Sequence, residues 1–181
     1  MDPRPREREE SEGPVIRIVL CTDAVCGQKV GGFGYVLYAE PSGQPAIRYE
    51  HRHALVPGLS QTQAELYAIL AGLDSIGYAL SSHGLVPTDV YLTIVTDSKA
   101  SLHAIAHPDK QKDRKTRLLL KRIIRTVAGV YNSPPGGGAE FKFLSTDPEE
   151  GDTVDTIQQR SLLLRAHELS HQARTVFKGL R

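Results

Sequence analysis

The apolar period of this chain changes once, near residue 60, and that change restricts the folds open to it. Before it, three short segments read as strands. Residues 15–21 are β-branched and mostly apolar, as a central strand covered on both faces would be. A glycine-bearing turn at 27–32 leads to a second apolar segment at 33–38, and Pro41-Ser42-Gly43 turns the chain into a third at 47–56. After it, Leu66, Ile69, Leu70, Leu73 and Ile76 recur at helical spacing. Two capping boxes compete for the start of that helix, Ser60 with Gln63 and Thr62 with Glu65. Pro87 then breaks the chain before a fourth strand at 90–95.

A short helix follows Asp97, and a basic helix is expected over roughly 113–130. A Pro/Gly-rich loop at 133–138 precedes a fifth strand at 140–144. An acidic loop at 147–155 carries five carboxylates, and a last helix begins near Asp155 with Leu162, Ala166, Leu169, Ala173 and Val176 on one stripe. The order is βββαβααβα. Short turns make the first three strands an antiparallel meander, and a helix between strands allows parallel pairing. The expected fold class is α/β, a mixed five-stranded sheet flanked by helices.

The 181 residues suit one domain, placed at 14–178, after a charged tail at 1–13 that reads as disordered. No apolar run reaches the roughly 18 residues that span a membrane. Two cysteines, Cys21 and Cys26, fit a reducing compartment, so an intracellular protein (cytoplasm or nucleus) is expected, as a monomer. Cys21 reads as a small buried residue.

Three carboxylates sit where an α/β sheet places its chemistry, just beyond the carboxyl ends of strands. Asp23 ends the first strand, Asp97 ends the fourth, and Glu65 lies in the first turn of the intervening helix. Each has a plainer role open to it: Asp23 as a turn residue, Glu65 as a capping acid, Asp97 as a helix N-cap. Together they would repel one another unless a cation neutralised them. Mg²⁺ favours carboxylate and water oxygens and leaves positions for phosphate. Two such ions roughly 4 Å apart can serve phosphodiester cleavage.

The segments Leu20-Cys-Thr-Asp-Ala, Gly31-Gly-Phe-Gly-Tyr-Val, Gln61-Thr-Gln-Ala-Glu-Leu-Tyr-Ala-Ile and Ile94-Val-Thr-Asp-Ser-Lys resemble, in order and spacing, the first three motifs of type 1 ribonuclease H. They look most similar to the ribonuclease H domains of retroelements. The resemblance implies a ribonuclease H-like fold. It also implies an endonuclease that uses two Mg²⁺ (or Mn²⁺) ions to hydrolyse the RNA strand of RNA/DNA hybrids. Asp23, Glu65 and Asp97 would be its metal ligands.

The family's fourth ligand is usually an Asp on the last helix, in a pattern like Ala-Asp-x-Leu-Ala. Here Ala166-His167-Glu168-Leu169-Ser170 stands in its place, which ranks His167 first as catalytic residue and metal ligand. Asp152 and Asp155 are rivals. Imidazole is softer than carboxylate and tilts the preference towards Mn²⁺. The loop after the fifth strand lacks the family's assisting His, and the chain has no Trp. A catalytically weak or silent nucleic-acid-binding or scaffold domain of retroelement origin is therefore the alternative, along with a related nuclease of different substrate.

Net charge is only +1, but eight Lys/Arg against two Asp lie between His107 and Thr126. Lys112, Lys115, Arg122 and Arg125 partly share a face and are the expected nucleic-acid contacts, with Leu118, Leu119, Ile123 and Ile124 turned inward. The plainer reading is a solvated helix face. A hybrid would be recognised by shape and 2′-hydroxyls, without sequence preference.

Overall fold

The computed structural model describes residues 15–27, 30–85, 89–131 and 138–179. The tail at 1–13, the break at Pro87 and most of the loop at 133–138 lie outside the described residues. The strands are β1 (Val15–Val25), β2 (Gly31–Pro41), β3 (Ile47–Leu55), β4 (Asp89–Thr96) and β5 (Gly138–Phe143). The helices are α1 (Gln61–Ser81), α2 (Lys99–Ala106), α3 (Arg114–Tyr131) and α4 (Val154–Gly179). A 3₁₀ turn at Pro108–Lys110 joins α2 to α3. The expected βββαβααβα order holds. The sheet order is β3-β2-β1-β4-β5, antiparallel from β3 to β1 and parallel from β1 to β5.

The central strand β1 is buried on both faces. Ile16, Ile18 and Leu20 point into the larger core, shared with Leu66, Ile69, Leu73 and Ile76 of α1 and with Leu119, Leu120 and Ile123 of α3. Cys21 points the other way, into a smaller core with Val36, Val95, Leu162, Leu163 and Ala166. Each fully buried aliphatic side chain contributes about 1.5–3 kcal/mol of transfer free energy, so the alternation of β1 fixes its register strongly.

Of the two capping boxes, Ser60 with Gln63 forms. Ser60 Oγ accepts from Gln63 N–H at 3.2 Å, and Gln63 Oε1 accepts from Ser60 N–H at 3.0 Å. The Gln63 amide also donates to Asp113 Oδ2 at 2.8 Å, and Asp113 caps α3 through Thr116 N–H at 2.7 Å. One glutamine thus ties the starts of α1 and α3 together.

Two inward assignments are corrected. On α3, Leu118 is 55% and Ile124 40% exposed; the buried stripe is Thr116, Leu119, Leu120 and Ile123. Three successive leucines leave the helical phase open, and the bond network of Asp113 and Thr116 with Gln63 sets it. On α4, Val176 is 49% exposed. The helix packs on β2 as far as Gly32, which faces Ser170, Ala173 and Arg174, and β2 begins at Gly31. Val176 therefore lies past the end of the strand.

Close approach of α4 to β2 depends on two glycines. A Cβ on Gly34 would lie 2.5 Å from both the Ala166 carbonyl oxygen and Leu169 Cβ. Backbone stands in the way, so a side chain there must push the helix off the sheet. Gly34→Ala should cost about 1–3 kcal/mol, the usual scale of overpacking, read from the urea midpoint. An unchanged midpoint would show that α4 is free to lift without loss.

Candidate metal centre

Pairing of β1 with β4 is parallel and in register through Cys21 opposite Val95. Two residues further on, Asp23 and Asp97 stand side by side. Strand alternation turns Asp23 to the same face as Cys21, and β1 continues to Val25 beyond it, paired with β2. Glu65 reaches the same place from the second turn of α1. One oxygen from each of the three carboxylates lies within 4.8 Å of the others. Asp23 and Glu65 are buried and Asp97 is half-buried.

The plainer role of each acid is absent or filled by another residue. Asp23 lies within a strand, opposite Gly34, and not in a turn. Gln63 is the acceptor in the α1 capping box, not Glu65. The N-cap of α2 is Ser98, whose side chain accepts from Ser101 N–H, not Asp97. None of the three carboxylates is spent on a turn or a helix cap.

Neighbours hold them in place. Gln61 Nε2 donates to Glu65 Oε1 at 2.8 Å and to the Ala24 carbonyl at 2.6 Å, while its Oε1 accepts from Cys26 N–H at 3.1 Å. The other oxygen, Glu65 Oε2, is buried without a hydrogen-bond partner. Burial first, then the Asp23 carboxylate, push the Glu65 carboxyl up to about 9. Burial and Asp23 likewise raise Asp97, against an opposing effect of His167. A protonated Glu65 or a bound cation would relieve the crowding; both answer the same repulsion. A partnerless buried oxygen within reach of two further carboxylates fits an oxygen-seeking divalent ion.

From α4, His167 Nδ1 lies 3.3 Å from Asp23 Oδ2, and the ring is half exposed. The Ser170 hydroxyl donates to the same Asp23 oxygen and lies 2.8 Å from the His167 carbonyl. His167 is thus at the rim of the cluster. The rival acids are elsewhere. Asp152 is engaged by the buried Arg160 guanidinium. Asp155 is at the start of α4, twelve residues from His167, or about 18 Å along the axis.

Of the basic residues, Lys112 is exposed just before α3. Lys115, Arg122 and Arg125 line one groove between α1 and α3, and none of the three acids lines it. Sequence reasoning gave no role to Gln61 and Ser170. Gln61 was detectable, being four residues before Glu65 on one helix face. Ser170 was not, because its partner is 147 residues away.

No family's sequence model matches the chain. Two curated proteins match weakly. They are a heat-inducible transcription repressor of Geobacter sulfurreducens (31% identical, 45% of this chain) and a bifunctional NAD(P)H-hydrate repair enzyme of Synechocystis (28% identical, 83% of this chain). The chain spans only 23% and 29% of their lengths, and the two names differ in kind.

Solved structures agree with one another. The N-terminal ribonuclease H domain of a Mycobacterium tuberculosis protein superposes with a TM-score of 0.58 at 15% identity, covering 89% of this chain and 95% of that one. LC11-RNase H1 in complex with an RNA/DNA hybrid gives 0.59 at 16%, covering 91% and 99%. The prototype foamy virus protease–reverse transcriptase gives 0.56 at 11%, covering 89% of this chain and 21% of that one. The chain has the ribonuclease H-like fold. No helix among the described residues is long and apolar enough to cross a membrane.

Glu65 keeps its proton to about pH 9 in the folded, metal-free chain, against 4.5 for the free group. Between those values the folded state binds a proton that the unfolded state has lost, so this group's stabilisation falls as pH rises. The metal-free melting temperature should decline across that window, less steeply in Glu65→Gln. Mn²⁺ should raise it more at the alkaline end than at the acidic end. A response to Mn²⁺ that is equal at both ends would contradict a shared site for proton and cation.

Proposed function

We propose that this domain is a divalent-metal-dependent endoribonuclease acting on the RNA strand of RNA/DNA hybrids. The observation that carries the reading is the meeting of Asp23, Glu65 and Asp97 within 4.8 Å, on a fold shared with ribonucleases H. A nuclease acting on such hybrids is the coarser statement that the fold and the acidic cluster support. The two-ion mechanism, the ligand set and the substrate strand are the finer proposal.

When bound, a pair of Mg²⁺ or Mn²⁺ ions would activate the attacking water and stabilise the leaving 3′-oxygen. The chain's own residues prepare the place. Asp23, Glu65 and Asp97 would supply carboxylate oxygens, with His167 as the fourth ligand at the rim. Ser170 holds Asp23 in its rotamer, and Gln61 directs one Glu65 oxygen while leaving the other free. Such outer partners commonly change metal affinity about 10- to 100-fold when removed. Lys112, Lys115, Arg122 and Arg125 would contact phosphates of the substrate, which position it without reading its sequence.

A second reading is hybrid binding without turnover. The His167–Asp23 contact favours it, since an imidazole stands where relatives of this fold by resemblance carry a carboxylate. A protonated ring there would compete with a cation for Asp23.

Cleavage of a labelled hybrid, with Mg²⁺ and with Mn²⁺, separates the readings. Under the nuclease reading, activity is higher with Mn²⁺. It falls at least about 100-fold in Asp97→Asn, the scale of losing one preorganised charge-stabilising group. His167→Asp should shift the preference towards Mg²⁺. Binding without cleavage under either metal would establish the second reading, and cleavage surviving Asp97→Asn would refute the site.

Ser170→Ala should weaken Mn²⁺ binding by calorimetry about tenfold or more while the fold melts normally. Unchanged affinity would remove Ser170 from the site.

A further inference from the structure

The groove between α1 and α3 combines charge and aromatic surface in a way that duplex binding does not use. Its walls are Tyr67 from α1 and Leu118 from α3, with Lys115, Arg122 and Arg125 around them. Tyr67 is 39% and Leu118 55% exposed, although both are large and apolar. The cavity measures about 490 Å³. The α3 segment carries six Lys/Arg and no acid. Arg122 pairs with Asp74 at 3.2 Å; no ion pair among the described residues engages Lys115 or Arg125.

We propose that this groove binds single-stranded nucleic acid, an unpaired extension of the substrate, with a base stacked on Tyr67 and phosphates held by Lys115, Arg122 and Arg125. Three observations converge on that occupant. The charge complements a polyanion. The exposed aromatic ring suits stacking by an unpaired base, which a base already stacked within a duplex does not offer. The groove also shares α1 with the carboxylate cluster: Gln63, two residues from Glu65, bonds to Asp113 and Thr116, which flank Lys115 at the head of α3. From Lys115 to Arg125 it runs about 15 Å along the helix, long enough for a short run of nucleotides.

The catalytic reading supplies the reason a loose strand would pass there, and the inference rests on it to that extent. Binding itself is independent of cleavage. The two can therefore fail separately: cleavage of a blunt hybrid by the unaltered chain reports on the nuclease alone.

The test uses the whole chain carrying Asp97→Asn, so that RNA survives, with labelled oligothymidylate and oligouridylate of about a dozen residues. Either strand type should bind, and comparison of the two shows whether DNA or RNA is preferred. Tyr67→Ala should weaken binding about fivefold or more, and Tyr67→Phe should not. Replacing Lys115 and Arg122 with Gln should reduce the slope of log affinity against log salt by about 1.4, or about 0.7 per lost contact. Asp74→Asn, which frees Arg122, should tighten binding. Affinity indifferent to Tyr67 with a normal melting curve would overturn the proposal. So would displacement of the oligonucleotide by a polyglutamate peptide of equal charge, which would mark the groove as a site for an acidic protein segment.

Discussion

Repulsion among three carboxylates held within 4.8 Å is the constraint from which the rest of the site is understood. No chain places Asp23, Glu65 and Asp97 together at no cost. In water they would separate; here β1, β4 and α1 are fixed by two hydrophobic cores, and the acids cannot move apart. The result is a raised Glu65 carboxyl, a buried Glu65 oxygen without a partner, and Asp23 held by Ser170. The first two are local costs that a divalent cation would offset, and the third steadies Asp23 against its neighbours.

The packing that enforces this arrangement is itself sensitive. The α4 helix reaches Asp23 only because Gly32 and Gly34 leave the surface of β2 bare. His167 and Ser170 come with it. Glycine on β2 and the small Ala166, Ser170 and Ala173 facing it on α4 thus act on the chemistry indirectly, by setting how near the helix can come. On the opposite face, Gln63 fastens α3 to α1 and so fixes where the basic helix stands relative to the carboxylates.

Much of this was legible in the sequence. The switch from strand to helix period gave the element order, because alternation and 3.6-residue spacing are visible locally. The triad was legible because two of its members stand near the carboxyl ends of strands that an intervening helix allows to be parallel neighbours. What was not legible was set by distant partners. The phase of α3 turns on Thr116 and its bond to Gln63, which leaves Leu118 and Ile124 exposed although local spacing alone would allow them inward. The exposure of Val176 depends on where β2 begins under α4, and the choice between capping boxes on which side chain another helix engages. Similarly, Asp152 could be set apart from the carboxylates only once its pairing with Arg160 was seen.

The resemblance to ribonuclease H motifs and the structural likeness point the same way, though the chain shares only 11–16% identity with the solved structures compared. At that distance fold is common and chemistry is decided by side chains. Direct location of the ion is therefore the sharpest test. In a crystal soaked with Mn²⁺, anomalous scattering should place an ion at about 2.1–2.2 Å from oxygens of Asp23, Glu65 and Asp97, near the distance expected for a small divalent cation. The same crystal showing no anomalous peak among the three side chains would contradict the account.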